Sequence, residues 1–286
     1  MSNYQIITDS CCDFTEAMYK ELDVTCAPLS VLYKGVLHEN FSDDASLHEL
    51  YTGIAGGEMP TTSAVNPEGW AAVMKPALEE GKDILCLAFS SGLSTTCQSA
   101  VIAADELKES YPDRKIIVID TLCAALGQGL LVWHACQKRN AGMGLEELAA
   151  WVEANKLHVC HWVTVDDLNH LKRGGRVSAT TALVGTMLNI KPIIYVNEEG
   201  KLISTAKARG RKAAMDLLAR KLGEHATDKE TVFIAHGDCL EDAKALEAIL
   251  KEKYGVKNTH IGYVGAVIGA HTCPGVLVVF FMGDQR

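Results

Sequence analysis

Short runs of β-branched and aliphatic residues recur along the chain: YQIIT from residue 4, DILCLAF from 83, KIIVID from 115, ETVFIAH from 230 and THIGYV from 259. Each is followed by a turn and then by a stretch of helical period, the alternation expected of an α/β fold. Between them, Pro67–Glu79, Thr95–Ser110, Leu126–Arg139, Leu145–Glu153, Arg209–Leu222 and Leu240–Lys253 each carry one apolar face and are predicted to be helices. The early strands lack the alternation of a half-solvated sheet, so a mostly parallel sheet covered on both faces is expected for the first half. From residue 158 the texture changes. HVCHWVTV, KPIIYVNEEGKLIST and PGVLVVFF read as a mixed or antiparallel sheet, with Asn197–Gly200 as a hairpin turn. The predicted division is an N-terminal α/β domain, 1–157, and a C-terminal α/β domain, 158–286. With no internal repeat and no low-complexity linker, the halves are expected to pack directly and hold a ligand in the cleft between them.

At 286 residues the chain is long enough for two compact units. Hydrophobic residues make up 48% and charged residues 22%, an ordinary globular balance. Lys and Arg total 27 against 36 Asp and Glu, so the formal charge of -9 has the wrong sign for a protein whose main task is gripping nucleic acid. The ten cysteines include no C-x-x-C pair, and the opening MSNYQIITDS lacks the basic and apolar regions of a signal peptide. A cytoplasmic, reducing location is therefore expected, with most cysteines serving as small core residues. The apolar stretch GVLVVFFMG near the end is far shorter than the roughly 20 residues that cross a bilayer, so no transmembrane segment is predicted.

Hydroxyl-bearing residues gather directly after predicted strands: Thr8-Asp9-Ser10, the run Ser90 to Thr96, and Asp120-Thr121. In an open parallel sheet these carboxyl ends line the ligand crevice. The Ser90 to Thr96 loop runs into a helix whose free N–H groups suit an anion, while Ser94 or Thr95 equally reads as a helix N-cap. A second cluster, Pro60-Thr61-Thr62-Ser63, precedes the Asn66-Pro67 helix start and reads either as a helix-initiating loop or as further donors. Late in the chain, glycines and a proline fix the backbone around His271. Two basic segments, Lys172-Arg173-Gly174-Gly175-Arg176 and Lys207 to Lys212, stand out against the acidic total and fit a phosphate or acidic surface. Neither a dinucleotide fingerprint nor a P-loop occurs. Gly92-Leu93-Ser94 begins like the nucleophile elbow of a serine hydrolase, with His271 as base and Asp9 as orienter, but Thr96 stands where the second glycine belongs. His158 and Cys160 share a strand face while His161 points away, and spacing places no fourth ligand, so no metal is expected.

Taken in order, ITDS at 7–10, MPTTS at 59–63, SSGLSTTCQSA at 90–100, LKRGGRVS at 171–178, IKPI at 190–193, KARGRKA at 207–213 and HTCPGV at 271–276 resemble the DegV family across essentially the whole chain. Those bacterial fatty-acid-binding proteins include the B subunits of fatty acid kinase. The resemblance implies a two-domain DegV-like α/β fold with one long-chain fatty acid, such as palmitate, stearate or oleate, between the domains. It also implies a lipid carrier with no catalytic residue and no cofactor, which presents the acyl carboxylate to a separate fatty acid kinase catalytic subunit for acyl phosphate formation and phospholipid synthesis. Carried over by motif, Thr62, Ser94 and His271 bind the carboxylate, flanked by Ser63 and Thr95, and Arg209 belongs to that end of the pocket. Arg173 and Arg176 match a basic turn assigned to kinase docking or phosphate handling. The chain departs from the family's usual pattern at Ala64, Thr95, Cys97 and Cys273. Two other readings stand beside the carrier: a hydrolase of acyl esters acting through Ser94 and His271, and a lipid-responsive sensor or adaptor.

Overall fold

Every strand run named above forms in the computed structural model, which describes residues 3–39, 43–177, 189–284 and 286. Strands β1 (Tyr4–Asp9), β2 (Val24–Ala27), β6 (Asp83–Ala88) and β7 (Ile116–Asp120) pair in the order β2-β1-β6-β7, with every neighbour parallel. A second sheet joins β8 (Val159–Thr164), β9 (Ile190–Val196), β10 (Leu202–Arg209), β11 (Thr231–His236), β12 (Asn258–Tyr263) and β13 (Leu277–Met282). Its order is β10-β9-β8-β13-β11-β12, with only the β11 and β12 pair parallel. The two-domain α/β fold with one parallel and one mixed sheet is thus as expected. The turn between β9 and β10 is the predicted hairpin, with Asn197 Oδ1 accepting the N–H groups of Glu199 and Lys201 and Gly200 at a φ of 70°.

A third, small sheet was not expected. Strands β3 (Ser30–Tyr33), β4 (Val36–Glu39) and β5 (Thr61–Ser63) form an antiparallel sheet in the order β4-β3-β5. The Thr61–Ser63 segment is therefore a strand rather than a helix-initiating loop, its pairing supplied by residues some thirty positions earlier. Lys34 and Gly35 both have positive φ, 49° and 77°, the tight hairpin geometry that joins β3 to β4.

Ten α-helices lie among the described residues: α1 (Glu16–Glu21), α2 (Asp44–Ala55), α3 (Pro67–Glu79), α4 (Thr96–Ser110), α5 (Ala125–Asn140), α6 (Leu145–Asn155), α7 (Asn169–Arg173), α8 (Arg211–His225), α9 (Leu240–Tyr254) and α10 (Ala266–Thr272). Strand alternation decides the layering. Ile7 and Cys86 face α3 and α4, whereas Ile6, Leu85 and Leu87 face α5. On the mixed sheet, Val163 and Phe280 face α5 while Trp162 and Phe281 face α8 and α9. Helix α5 is therefore sandwiched between the two sheets and buried on most of its surface.

Its two glycines make the fit. Positions two apart on a helix lie on nearly opposite faces. A Cβ at Gly127 would stand 2.2 Å from His161 Nε2 on the mixed sheet, and one at Gly129 would stand 2.6 Å from the Cys12 carbonyl oxygen on the other side. All ten cysteines are free thiols, most of them buried as expected. No described helix is long and apolar enough to cross a membrane.

Gly127→Ala should lower stability by about 1–3 kcal/mol, because His161 and Phe280 are fully packed and have nowhere to retreat. Thermal unfolding of the variant beside the parent checks this, and an unchanged midpoint would show that the helix shifts freely between the sheets.

Candidate functional site

Three segments converge on one cavity of about 450 Å3 at the seam between the sheets. The first is β5, whose central residue Thr62 pairs with Val31 and points its side chain opposite to those of its strand neighbours Thr61 and Ser63. The second is the loop from Phe89 to Thr95 between β6 and α4. Buried Asp9 fixes its start by accepting the N–H of Phe89 at 2.7 Å and that of Cys11 at 3.0 Å. Burial raises the Asp9 carboxyl to about 6, against the pull of those bonds. Ser90 ties the same loop to the other sheet by donating to the Gly200 carbonyl at 2.8 Å. Ser94 Oγ accepts the N–H of Thr96 at 3.2 Å and meets Thr96 Oγ1 at 2.8 Å, so the capping role and the cavity position fall on one side chain. Helix α4 starts one residue later than predicted, with Thr95 at the N-cap making no side-chain bond to the helix.

The third segment is the end of α10. His271 lies in its last turn and its Nε2 meets Thr62 Oγ1 at 2.9 Å. Gly174 backs the ring, since a Cβ there would lie 2.3 Å from His271 Nδ1. Gly175 has a φ of 73° with open space around it, so the two glycines of the basic turn serve different needs, close approach and backbone conformation. After the helix, Cys273 takes a φ of 72° and a ψ of 171°, a conformation that glycine adopts without strain and that a residue with a Cβ adopts at a cost.

His271 is neutral at pH 7. Burial, reinforced by the nearby Arg176 guanidinium, lowers it to about 4. Arg176 itself is spent on the backbone, donating from Nε to the Leu93 carbonyl at 3.1 Å and from Nη1 to Gly174. The polar end of the cavity thus offers two hydroxyls and an uncharged imidazole, with a half-buried cation behind them. Farther in, Val163, Ile194, Val278 and Phe280 of the mixed sheet and Val267 and Ile268 of α10 make an apolar wall. His161 belongs to this interior. Its Nε2 accepts the N–H of Ala124 at 3.2 Å, which leaves the proton on Nδ1 for the Val159 carbonyl at 2.9 Å. Both nitrogens are committed, and burial with the Arg286 charge lowers the group to about 3.

Thr62, Ser63, Ser94, Thr95, His271 and Arg176 all line this cavity. Arg173 does not. It is exposed on α7, contacting Met59 Sδ at 3.4 Å and the His170 ring, in a shallower vestibule of about 350 Å3 that shares Thr62, Arg176 and His271 with the cavity. Ser178, last residue of the LKRGGRVS motif, lies outside the described residues.

Arg209 stands apart from this cavity. It ends β10 exposed and is not part of the cavity, because strand alternation sends Ala208 into the core and turns Arg209 outward. Arg211, in the same basic run, has a structural part instead. It donates to the Gly275 carbonyl at 2.7 Å and to Asp242 at 2.8 Å, anchoring the segment that follows His271. The bonds of a serine hydrolase relay are not formed: Ser94 meets Thr96, His271 meets Thr62, and Asp9 holds the N–H groups of Phe89 and Cys11. Among the described residues no three acidic, histidine or cysteine side chains converge as a metal ion requires.

The family model described as "Uncharacterised protein, DegV family" matches residues 3–284. A DegV domain-containing protein of Clostridium perfringens is 43% identical, with 100% of this chain and 99% of that one aligned. Among solved structures, a DegV lipid-binding protein from Thermotoga maritima superposes with a TM-score of 0.87 at 27% identity, covering 100% of both chains. A DegV family protein from Thermus thermophilus, described by its fatty acid binding, gives 0.85 at 32% identity over 97% of this chain and 98% of that one.

In a histidine-selective NMR titration, His271 should stay neutral until about pH 4. The unfolded chain takes up this proton near 6.5, so the stability tied to neutral His271 is complete above that pH and is lost as the pH falls towards 4. His271→Gln should remove part of that acid decline, and an unaltered pH profile would contradict the assignment.

Proposed function

Because the chain belongs to the DegV family, we propose that it binds one long-chain fatty acid in the seam cavity, with its carboxylate at Thr62, Ser94 and His271. The observation that carries this reading is the polarity of the cavity: uncharged donors at one end and an apolar wall beyond them. Burying a methylene yields about 0.8 kcal/mol, so a palmitoyl tail offers on the order of 10 kcal/mol before the costs of association and chain ordering. A desolvated carboxylate costs several kcal/mol unless it is hydrogen-bonded, and hydroxyl donors meet that need without an ion pair. A cavity of about 450 Å3 falls within the usual range for small-molecule sites.

The finer step of the proposal is presentation. The vestibule opens beside the head-group residues and carries Arg173 and Arg176, so a separate ATP-dependent kinase would reach the acid there. The carboxylate oxygen would attack the terminal phosphorus of ATP, the bond to the bridging oxygen would break, and ADP would leave. The protein itself would supply binding, orientation and a cationic rim for the added charge, and no cofactor enters. The acyl phosphate would feed phospholipid synthesis, with the carrier in the cytoplasm.

Native mass spectrometry and solvent extraction of the purified protein should release palmitate, stearate or oleate. An empty protein that fails to bind added acids of this class tightly would overturn the proposal. Ser94→Ala and Thr62→Val should each weaken binding of the acid by about 1–2 kcal/mol, roughly tenfold, and that of its methyl ester by less. Equal losses would remove the carboxylate from this end. Arg173→Ala should leave lipid affinity intact and slow phosphorylation by a cognate kinase roughly tenfold, and an unchanged rate would retire the docking role.

A further inference from the structure

The wall that the mixed sheet gives the cavity is built in rows. Val278, Val163 and Ile194 are direct partners across β13, β8 and β9, and Phe280 and His161 are partners two residues farther along. Side chains two apart on a strand share a face, which sets the rows about 7 Å apart, and all five of these residues line the cavity. The rows have an order relative to the head group. Beyond Thr164, β8 leads to α7 and to Gly174, which backs the His271 ring, and Val276, shortly after His271, leads into β13. The row of Val278 and Val163 is therefore the nearer one, and that of Phe280 and His161 the farther. The loop from Phe89 to Thr95 runs the same way. Arg176 holds Leu93 beside Ser94, while Ser90 gives its N–H to the Cys123 carbonyl at 3.1 Å, next to the Ala124 whose N–H His161 accepts.

His161 is the only polar side chain that the mixed sheet contributes to the cavity among the described residues, yet it has no polar atom to offer a ligand. Nε2 accepts from Ala124 and Nδ1 donates to the Val159 carbonyl, so only its C–H edge and its face are left. The ring is also pinned. Phe280 meets it edge to face, with centroids 5.3 Å apart and planes at 84°, and α5 comes so close that a Cβ at Gly127 would overlap it. An aliphatic side chain would yield by changing rotamer, whereas this ring can swing aside only by giving up both hydrogen bonds. It stays neutral, because burial and the Arg286 charge hold it at about 3, so no charge faces an apolar tail.

We propose that His161 is the end stop of the acyl site: its ring closes the cavity at the end away from Thr62, Ser94 and His271 and sets the longest straight tail the protein accepts. The role rests on the fatty-acid reading of the cavity and assigns chain length to one residue. A tail that reaches the ring meets a rigid surface backed by helix and sheet, and overfilling a packed interior is costly.

The test uses the full chain. Laurate, myristate, palmitate, stearate, arachidate and behenate are compared by competition for the site, and the tightest of them is then bound with an isotope label on its terminal methyl group for filtered NOE spectroscopy. Affinity should rise with length to one member of the series and fall at least about tenfold at the next. The labelled methyl group should show contacts to the His161 and Phe280 rings and none to Thr62. His161→Ala should move the tightest binding to a longer acid and strengthen the first acid that the parent rejects about tenfold or more. The end stop is overturned if the terminal methyl group touches neither ring, if affinity does not decline up to behenate, or if folded His161→Ala keeps the length profile of the parent. Acids that bind with their terminal methyl group elsewhere sink the end stop alone, while failure of every acid to bind sinks the fatty-acid reading and the end stop with it. The length series and the methyl contacts on the unsubstituted chain decide the matter where the variant does not fold.

Discussion

The hydrogen bond between Thr62 Oγ1 and His271 Nε2 is the interaction on which the site depends, because it closes the head of the cavity by joining residues 209 positions apart. One partner sits on a three-residue strand that exists only through its pairing with β3, the other on the last turn of a seven-residue helix. Neither element is long enough to hold a side chain by its own stability. Arg211 anchoring Gly275 and the close backing of Gly174 supply that rigidity from outside. The bond also has a direction. A carboxylate can only accept, so a bound acid requires the Thr62 proton, and Thr62 can give it only if it accepts from His271 Nε2–H. An anionic ligand would therefore select one tautomer of the imidazole.

The cavity exists because the seam between the sheets is filled at one end and left open at the other. Helix α5 fills its share by presenting Gly127 to the His161 and Phe280 side chains of the mixed sheet and Gly129 to the Cys12 carbonyl and the Phe14 ring in the turn after β1. At its N-terminal end, Ala124 and Ala125 put small side chains where the mixed sheet supplies Val163, Ile194 and Phe280. Close packing elsewhere makes this gap a stable feature, since interiors do not collapse onto voids that rigid elements hold open. A bound tail would complete the core that the chain leaves unfinished.

Much of this was legible in the sequence, for reasons that differ by element. The buried strands announced themselves as unbroken aliphatic runs, and α3 begins at Pro67 and ends at Glu79 as the periodicity and the Asn66 cap require. The small sheet was not legible because its strands are three or four residues long and Val36 and Leu37 are exposed, leaving neither period nor run to detect. The hydroxyls of Ser94 and Thr62 could be picked out as clusters, but nothing local says that two such clusters and a histidine share one wall. Arg209 and Arg211 stand in the same basic run, and the turn at Gly210, where β10 ends and α8 begins, separates the outward side chain from the anchoring one. His161 was invisible as a cavity residue because its partners, Ala124 and Val159, are backbone groups.

The placement of charge explains how a site can hold an acid without trapping it. Arg176 is the cation nearest the head-group residues, yet its guanidinium is engaged by the carbonyls of Leu93 and Gly174. Its field still reaches His271, where it helps burial to hold the ring neutral, and it would favour an anion in the cavity without a bidentate ion pair. A direct arginine–carboxylate pair would tie up both oxygens and draw electron density from them. Hydroxyl donors leave an oxygen with most of its nucleophilicity, and at this position that oxygen would face the vestibule in which Arg173 stands. On the proposed reading, a cation tied to the backbone beside the head group and an exposed one in the vestibule would leave an oxygen of the bound acid free to take up a phosphoryl group.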